Sequence, residues 1–283
     1  MLLIVDLDGV VYRGSSPVPG VPALLTARVA LGDRVVYATN NSRWHRSDYL
    51  ARLQSMGAPV GRDPIVTAAR ATALLLAEEP VPPRCTMVFG GPGLTRELRD
   101  AGLRTVAPTP YGLAAGPDVV VVGVDFGLGY ERLSIAAEAV RRGARFVATN
   151  RDPVYPGPEG LLAGAGSIVA ALAVASGREP DLEVGKPGPR LFEAAAALAG
   201  LPAREAVVIG DGQWTDIAAA HAIGARSVLM LTGVTSEAQL AGVPAAQRAT
   251  AVAHDAAELA VILERFAAQA SRSAEASLSA EAG

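Results

Sequence analysis

Cysteine, histidine and aromatic residues are scarce in this chain of 283 residues, which contains one cysteine, three histidines and 5% aromatic residues. The lone cysteine, Cys85, cannot form an intramolecular disulfide, and a multi-cysteine metal cluster is excluded as well. Because a lack of disulfides is typical of proteins in reducing compartments, we expect a cytoplasmic protein.

Long apolar runs and an excess of positive charge are also missing. No segment reaches the roughly 18 uninterrupted apolar residues of a membrane-spanning helix. The first residues lack the basic start of a secretory signal, and Asp6 interrupts their apolar run. A net charge of −3 provides no basic surface for a phosphate backbone. We therefore expect neither a membrane nor a nucleic acid as a partner.

What the chain does contain is apolar material for a large core, since 50% of its residues are hydrophobic and 19% are charged. Short apolar runs predict strands over Leu2–Val5, Arg34–Ala38, Met87–Phe89, Val119–Val122, Arg145–Ala148, Ala206–Ile209 and Ser227–Met230. Alanine- and leucine-rich runs between them predict helices over Arg46–Met56, Ala68–Ala77, Tyr130–Arg142, Ser167–Ser176, Pro189–Leu198 and Ile217–Ile223. Because most of these strands are continuously apolar, we expect parallel strands buried on both faces in an α/β fold.

Two proline-containing segments, Glu79–Pro83 and Gly177–Pro180, are typical of linkers or hinges and divide the chain. We predict a core domain whose first part is 1–83, an inserted domain over 84–183 and the second part of the core over 184–266. Residues 267–283 have almost no large apolar side chain, which predicts a frayed or disordered tail.

The first candidate site is Asp6-Leu7-Asp8-Gly9, directly after a predicted strand. In an extended segment the side chains of Asp6 and Asp8 point the same way, at the strand end where open α/β sheets bind ligands. Two crowded carboxylates repel each other unless a cation or a shared proton compensates. The alternative is that these carboxylates cap the next helix.

A second acidic segment, GDGQWTDI over residues 210–217, also follows a predicted strand. Asp211 lies at the strand end, and Asp216 lies where the next helix should begin and where it can serve the helix dipole alone. If the two strands are neighbours, Asp211 joins Asp6 and Asp8. Together these carboxylates would supply the hard oxygen ligands that Mg²⁺ prefers.

Two further segments can bind an anion. Thr39, Asn40 and Asn41 offer a hydroxyl and two amides at a strand end, and a helix start after Ser42 adds backbone N–H donors. The alternative for these residues is an Asx turn with an N-cap. Lys186 is held between glycines and prolines as a rigid cation, although most lysines are solvated surface charges.

Taken together, these segments resemble the four loop motifs of the haloacid dehalogenase superfamily of phosphohydrolases: DxDG, a Thr or Ser, a Lys, and GDxxxTD. The TNNS, VGKP and GDGQWTDI segments, with residues 148–153 and 160–167, narrow the resemblance to the subfamily of NagD-type, p-nitrophenyl, phosphoglycolate and glycerol-phosphate phosphatases. The resemblance spans residues 2–234. The chain departs from the usual pattern at Gln213 and Trp214, where relatives often carry a leucine and a polar residue.

The resemblance implies a doubly wound, mainly parallel sheet core with an inserted α/β cap domain of the C2 type. It implies that Asp6 is a nucleophile that forms an aspartyl-phosphate and that Asp8 is the general acid and base. Mg²⁺ would be held by Asp6, the backbone carbonyl of Asp8 and Asp211, with Asp216 supporting that site. The phosphate would be bound by Thr39, Asn40, Asn41 and Lys186.

The cap would select the leaving group of a small phosphorylated metabolite. Asn150, Asp152 and Tyr155 follow a predicted cap strand and can face that group, with ordinary turn chemistry as the alternative. Phosphoglycolate, glycerol phosphate, a sugar phosphate, a nucleotide monophosphate and pyridoxal phosphate all fit this chemistry. Caps of this kind often pair, so the resemblance is compatible with a homodimer through the cap.

Three other side chains lie next to the motif loops. His45 is near TNNS and can reach substrate, although a surface or capping role is favoured. Trp44 and Trp214 each adjoin a motif, and each can line the entrance or pack in the core.

Two other functions use similar residues. A phosphomutase or phosphotransferase would form the same aspartyl-phosphate, but such enzymes usually carry a helical cap between the first two motifs, and the segment from Asp8 to Thr39 is too short for one. A receiver-like phospho-acceptor would also combine aspartates, Thr and Lys. DxDG at the first strand and the large insertion count against that reading.

Overall fold

The computed structural model describes residues 1–62, 64–157 and 160–281, with side chains described as far as 272. The strands in these ranges are Leu2–Val5 (β1), Tyr12–Arg13 (β2), Ser16–Pro17 (β3), Arg34–Thr39 (β4), Ile65–Thr67 (β5), Thr86–Phe89 (β6), Thr105–Val106 (β7), Val119–Val122 (β8), Arg145–Ala148 (β9), Val154–Gly157 (β10), Gly160–Ala163 (β11), Leu182–Glu183 (β12), Ala206–Gly210 (β13), Arg226–Met230 (β14) and Ala251–Ala253 (β15). The helices are Val21–Ala30 (α1), Arg46–Ser55 (α2), Ala68–Ala77 (α3), Pro92–Asp100 (α4), Pro110–Ala114 (α5), Tyr130–Arg141 (α6), Ala165–Ser176 (α7), Arg190–Ala199 (α8), Ala218–Ala222 (α9), Glu237–Ala241 (α10) and Ala256–Glu281 (α11).

Six strands form one parallel sheet in the order β15-β14-β13-β1-β4-β5. The central strand β1 has β13 on one side and β4 on the other, with Val5 opposite both Ile209 and Tyr37. The strands are continuously apolar because both faces are covered: Leu3 and Val5 belong to one buried cluster, and Ile4 belongs to another on the opposite face. This order brings the carboxyl ends of β1, β4 and β13, which carry three of the four predicted motifs, to one edge of the sheet.

A second parallel sheet, in the order β12-β9-β8-β6-β7, is built only from residues between 86 and 183. Its strands β6 and β8 are fully buried, and the antiparallel hairpin β10–β11 forms a separate pair. The chain enters this sheet after Pro83 and leaves it after Glu183. Glu79–Pro83 therefore lies where the chain passes between the sheets, whereas Gly177–Pro180 precedes the last strand of the second sheet, β12. The predicted α/β class with parallel sheets is confirmed.

The two sheets are joined by one continuous apolar cluster. Leu76 of α3 belongs to the same buried cluster as Leu94 and Leu98 of α4, and that cluster also contains Ile4 of the first sheet and Val121 of the second. If the region that contains the second sheet, called the cap below, moved as a rigid body relative to the region of the first sheet, called the core, it would therefore have to slide or open this packing.

The predicted helices are all present, with ends that shift by one or two residues, except around Ile217–Ile223. There one turn of π-helix, Gln213–Ile217, precedes the short helix α9. Gly57, Gly200 and Gly224 lie at or directly after the C-caps of α2, α8 and α9 and have positive φ values of 71°, 64° and 68°, as is common where a helix ends. Among the helices that the sequence analysis missed, α1 and α4 carry proline in the first turn, as the second and the first residue respectively, in segments that resemble a turn. Proline suits the first helical turn because its missing N–H would have no partner there.

The C-terminal segment is a correction to the sequence analysis. The helix α11 runs to Glu281, through most of the stretch that composition predicted to be frayed or disordered. Alanine, glutamate and serine bury little apolar surface, but alanine is also the strongest helix former, so the helix can continue without tertiary packing. Within 1–62, 64–157 and 160–281, each helix is either too short or too polar to cross a membrane.

Candidate active site

Asp6 and Asp8 follow the central strand at the carboxyl edge of the first sheet. The backbone N–H of Asp6 donates to the carbonyl of Ile209 at 2.8 Å and extends the pairing with β13, and its side chain is buried. Asp8 is half-buried, and the hydrogen bonds of the described residues leave its carboxylate without a donor. Burial raises the pKa of Asp8. The two acids therefore differ in environment: Asp6 is held inside the site, and Asp8 keeps a free carboxyl group that retains its proton more readily than an exposed aspartate.

Lys186 lies between two of the acids. Its Nζ is 2.6 Å from Oδ1 of Asp6 and 2.7 Å from Oδ1 of Asp216, and the lysine is buried. Burial alone would lower the pKa of Lys186, but the charges of Asp216 and Asp6 outweigh it and leave that pKa above its ordinary value. The lysine is therefore a permanent cation inside the site, as its place between glycines and prolines predicted.

Asp211 and Asp216 are fixed by the turn that follows β13. Oδ2 of Asp211 accepts a hydrogen bond from the N–H of Val234 at 2.8 Å, and Oδ2 of Asp216 accepts one from the N–H of Gly212 at 3.0 Å. The turn can form because Gly210 and Gly212 lack side chains: a Cβ on either would overlap Asp216 or Thr215. The π-helical turn over residues 213–217 thus places Asp216 against Lys186, and carboxylate oxygens of Asp211 and Asp216 both lie within 4.8 Å of one from Asp6.

The buried acids carry more negative charge than the lysine balances. Burial is the largest influence on Asp6 and raises its pKa; Lys186 opposes this shift, and the charges of Asp216 and Asp211 add to it. Burial and the nearby charge of Asp216 raise the pKa of Asp211 to about 6. One lysine among three aspartates leaves a deficit of positive charge, which a bound cation would remove.

The side chains present fit a divalent cation such as Mg²⁺. Asp6, Asp211 and Asp216 each offer a carboxylate oxygen, and these oxygens lie within 4.8 Å of one another. Hard carboxylate oxygens in a buried, negatively charged site are the donors that Mg²⁺ prefers. The structure thus brings Asp6 and Asp211 together and adds Asp216 to the group. Which of them binds a metal directly stays a prediction, as does the role of the Asp8 carbonyl.

The loop after β4 carries the predicted anion-binding residues. Thr39 is buried, and its Oγ1 accepts a hydrogen bond from the N–H of Asn41 at 3.2 Å. This side-chain-to-backbone bond is of the kind that the turn alternative predicted for this loop. Asn40 is buried as well, and its side-chain amide makes two hydrogen bonds with the main chain of Lys186. Its Oδ1 accepts from the N–H of Lys186 at 2.7 Å, and its Nδ2 donates to the carbonyl of Lys186 at 3.0 Å. The loop therefore holds the lysine, and the hydroxyl proton of Thr39 has no acceptor among the described residues.

Three cap residues contact this same loop. Nδ2 of Asn150 donates to the carbonyl of Asn40 at 2.7 Å, and Asp152 accepts from Nδ2 of Asn40 at 3.1 Å. The hydroxyl of Tyr155 accepts from Nδ2 of Asn41 at 3.4 Å. Asn150 also accepts the N–H of Asp152 at 3.0 Å, so both ends of its buried amide are used within the protein. These contacts assign Asn150 to the junction between cap and core, and substrate contact by the three residues stays a prediction.

Sequence reasoning missed the loop after β14. Besides the Val234 contact, Oγ1 of Thr232 donates to the carbonyl of Gly9 at 2.6 Å, and Oγ1 of Thr235 accepts the N–H of Gln213 at 3.0 Å. A Cβ on Gly233 would overlap Asp211. This loop therefore contacts both acidic segments, the one after β1 and the one after β13. The feature of the sequence that could have indicated it is a glycine between polar residues after a strand.

His45 and the two tryptophans are also located. His45 is the N-cap of α2, where its side chain accepts the N–H of Ser47 at 3.2 Å, and its Nε2 lies 3.0 Å from Oδ2 of Asp100 in the cap helix α4. The favoured capping role is correct, although this histidine is buried at the cap–core junction and does not lie on the surface. Trp44 and Trp214 are 44% and 60% exposed, which rules out the core-packing alternative for both.

Comparisons with known proteins agree with this geometry. A family model described as haloacid dehalogenase-like hydrolase matches residues 3–104, and a second HAD-hydrolase-like model matches residues 183–259. D-glycerol 3-phosphate phosphatase of Mycobacterium tuberculosis is 36% identical over 253 residues, covering 89% of this chain and 69% of its own length. The matched regions contain all four motifs.

Solved structures share the fold as well as the sequence. The p-nitrophenyl phosphatase from Archaeoglobus fulgidus aligns with a TM-score of 0.84 at 35% identity, over 92% of this chain and 98% of its own. A glycerol phosphate phosphatase from Mycobacterium tuberculosis in complex with magnesium aligns with a TM-score of 0.82 at 36% identity, over 91% and 75% of the two chains. The four motifs, the order of the first sheet and these relatives lead to one conclusion: this chain belongs to the haloacid dehalogenase-like hydrolase family.

Proposed function

We propose that this protein is a Mg²⁺-dependent phosphatase that hydrolyses small organic phosphate monoesters through an aspartyl-phosphate on Asp6. The observation that carries the proposal is the contact of Lys186 with both Asp6 and Asp216, with Asp211 beside them. A phosphate dianion would be repelled by these acids unless positive charge is placed in the same buried space. Relatives of this chain are named as phosphatases.

The cation would be held by Asp6, the backbone carbonyl of Asp8 and Asp211, with Asp216 beside them. When bound, it would shield the carboxylate of Asp6 from the phosphate and lower their mutual repulsion. The charge deficit described above supports this assignment, and so does the hard oxygen character of the donors.

Asp6 would act as the nucleophile. Its Oδ1 accepts from Lys186, and its other oxygen is free of protein donors among the described residues, so it can attack phosphorus. As the new bond between this oxygen and phosphorus forms, the bond between phosphorus and the ester oxygen breaks. Using a carboxylate in this way divides one difficult displacement into two easier steps.

Asp8 would move the protons. In the first step its carboxylic acid gives a proton to the departing ester oxygen, and in the second step its carboxylate takes a proton from the attacking water. That water forms a bond to phosphorus, the bond to Asp6 breaks, and inorganic phosphate leaves. The carboxyl group of Asp8 has no protein donor in the described structure, and burial raises its pKa, so it suits this exchange.

The remaining predicted residues would bind the oxygens of the phosphate. Lys186 supplies a full charge, Thr39 supplies a hydroxyl proton, and the loop through Asn40 and Asn41 supplies backbone and side-chain donors. Both amide ends of Asn40 already bond the protein, so this residue would act mainly by placing Lys186.

The substrate would be a small phosphorylated metabolite, and neither nucleic acid nor membrane is proposed as a partner. The single cysteine supports a reducing, cytoplasmic setting. A homodimer through the cap is also proposed. Sedimentation velocity would measure whether the protein is a dimer, and the substitution Leu161→Glu at the exposed surface of β11 should then weaken that dimer.

The function is tested with a panel of metabolite phosphates, measured by phosphate release with and without Mg²⁺. Many turnovers per enzyme are expected, with wild-type activity lost in Asp6→Asn and retained in Gln54→Ala, a surface control on α2. A burst of one equivalent without turnover would support a phospho-acceptor. Transfer of the phosphoryl group to a second hydroxyl in place of water would support a phosphotransferase or mutase.

A further inference from the structure

Arg43 lies in a cluster of aromatic side chains next to the loop that holds Lys186. Its Cζ is 4.0 Å from the ring centroid of Phe126, 4.6 Å from that of Trp44 and 5.8 Å from that of Tyr155. The rings of Phe126 and Tyr155 meet edge to face with centroids 5.5 Å apart. Arg43 and Trp44 come from the core and the other two residues from the cap, so this Arg43 cluster spans the junction between the two sheets.

The main chain around the cluster is held in place. The N–H of Arg43 donates to Oδ1 of Asn41 at 2.9 Å, and Oγ of Ser42 accepts the N–H of Val124 at 3.2 Å. Gly93 of α4 lies so close to the Arg43 carbonyl that any Cβ there would overlap it. The arginine is therefore presented by a loop that is fixed against the cap before any ligand binds.

The guanidinium of Arg43 makes no ion pair with a carboxylate in the part of the chain that the structure describes. The nearby acids are already used: Asp152 accepts from Asn40, and Asp125 pairs with Arg132. Aromatic rings interact with the face of a guanidinium, whereas its N–H groups point outward in its plane. A half-buried arginine packed against aromatic rings thus keeps its in-plane donors for an anion from outside the protein.

The cluster is also connected to the candidate phosphate site through neighbouring hydrogen bonds. Tyr155 accepts from Asn41, and the adjacent Asn40 holds the main chain of Lys186, whose Nζ contacts Asp6. A monoester with its phosphate at Asp6 and Lys186 would extend its organic part along this loop toward the cap. Phe126 is 51% exposed, so apolar surface is available there.

We propose that the Arg43 cluster is the leaving-group site and that it selects phosphate esters whose leaving group carries a carboxylate next to apolar carbon. This inference rests on the phosphatase function proposed above. The cluster contains one cation, which balances one carboxylate, whereas a second phosphate dianion would leave negative charge uncompensated. The planar fork of arginine also matches the two oxygens of a carboxylate.

The test uses pairs of esters that differ only in the carboxylate. Each acid is compared with the hydroxyalkyl phosphate of the same length, and the acids are phosphoglycolate, 3-phosphonooxypropionate and 4-phosphonooxybutyrate. Three chain lengths are used because the length that is hydrolysed best reports the distance between the bound phosphate and Arg43. In the wild type, kcat/KM for the best acid should exceed that for its neutral partner by about 10- to 100-fold, the range for a charged hydrogen bond. Arg43→Gln should remove most of this preference.

Three further variants make the result specific. Arg43→Lys keeps the charge without the planar fork and should retain part of the preference, and Phe126→Leu should weaken it by removing one aromatic ring from the arginine. Arg104→Gln, which removes one exposed charge elsewhere on the cap, should leave the preference unchanged. Thermal unfolding of each variant checks that it is folded.

Two results would overturn the inference while leaving the phosphatase function intact. One is a wild type that hydrolyses the neutral esters as well as the acids at every length. The other is an Arg43→Gln variant that loses activity on both members of a pair equally, which would make Arg43 a structural part of the junction. If the wild type hydrolysed none of the esters, the proposed function itself would fail.

Discussion

The side chain of Asn40 and the main chain of Lys186 bind each other reciprocally, across 146 residues of sequence. Oδ1 of Asn40 accepts the lysine N–H at 2.7 Å, and Nδ2 donates to the lysine carbonyl at 3.0 Å. Both residues are buried, so water cannot easily replace either bond. The position of the Lys186 cation relative to Asp6 therefore depends on an amide from a different segment of the chain.

Replacing Asn40 with Ala should lower both stability and activity. The substitution leaves the N–H and carbonyl of Lys186 buried without partners, at a cost of about 1–3 kcal/mol for each group. The free energy of unfolding in urea measures this loss, and Asn41→Ala, at a half-buried position in the same loop, is the control and should cost much less. Equal losses in the two variants would show that the reciprocal bonds contribute little.

Asp6→Asn should remove turnover almost entirely, because an amide is a poor nucleophile and a weaker metal ligand. Asp8→Asn should keep some attack on esters with good leaving groups, such as p-nitrophenyl phosphate, since these need no proton at departure. Stopped-flow and steady-state assays with good and poor leaving groups separate the two variants. If Asp6→Asn kept more than about a tenth of the wild-type kcat, equivalent to only ~1.4 kcal/mol, the covalent mechanism would be wrong.

Removal of divalent cations by EDTA should abolish phosphate release, and Mg²⁺ should restore it. Ca²⁺ should inhibit, because it takes more ligands at longer distances and tends to bind both oxygens of a carboxylate, including the attacking oxygen of Asp6. Phosphate release at a range of Mg²⁺ concentrations, with Ca²⁺ added as competitor, measures both effects. Full activity in metal-free buffer would contradict the assignment of the acids to a cation.

Gly9→Ala should inactivate the protein, whereas Gly14→Ala should not. Both glycines have positive φ, 79° and 53°, so both substitutions carry a similar backbone strain of about 1–2 kcal/mol. A Cβ on Gly9 would also overlap Oδ2 of Asp211, whereas Gly14 has open space around it. Comparing kcat/KM and thermal unfolding of the two variants isolates the steric effect on Asp211. Equal activities would mean that Asp211 can move without consequence.

Asp152→Ala and Tyr155→Ala should change the order of preferred substrates more than the rate for a small generic ester. Each lost contact with a leaving group should cost up to ~1–3 kcal/mol in kcat/KM for natural substrates, and a generic ester would touch little of the cap. Asn150→Ala should behave differently and lower stability, because its buried amide bonds Asn40 and Asp152. The ratio of kcat/KM for two substrates in each variant is the measurement. A parallel fall for both substrates would assign Asp152 and Tyr155 to the junction as well.

Local pattern was sufficient to predict the α/β class, half of the strands and helices, and the four motif segments. A continuously apolar strand such as Val119–Val122 and an acidic pair after β1 are visible in a short window of sequence, because burial and turn chemistry act on neighbouring residues. Helices that begin with proline, such as α4, were missed because the same Pro-Gly pair suits a turn. The prediction for the alanine-rich tail was wrong for a related reason. Its low hydrophobicity indicates disorder, whereas its high alanine content favours a helix.

The chemical groups that the site can use are visible in the amino-acid sequence: two acids after β1, two after β13, a hydroxyl and amides after β4, and one lysine held between glycines and prolines. Which of these groups meet depends on the folded chain, because the order of parallel strands is set by long-range packing that no local window contains. The position of Asn150 at the junction and the packing of Arg43 against Phe126 likewise depend on the folded chain. Those contacts join segments that are far apart in the chain, and their energy comes from burial and hydrogen bonding between surfaces that exist only after the chain has folded.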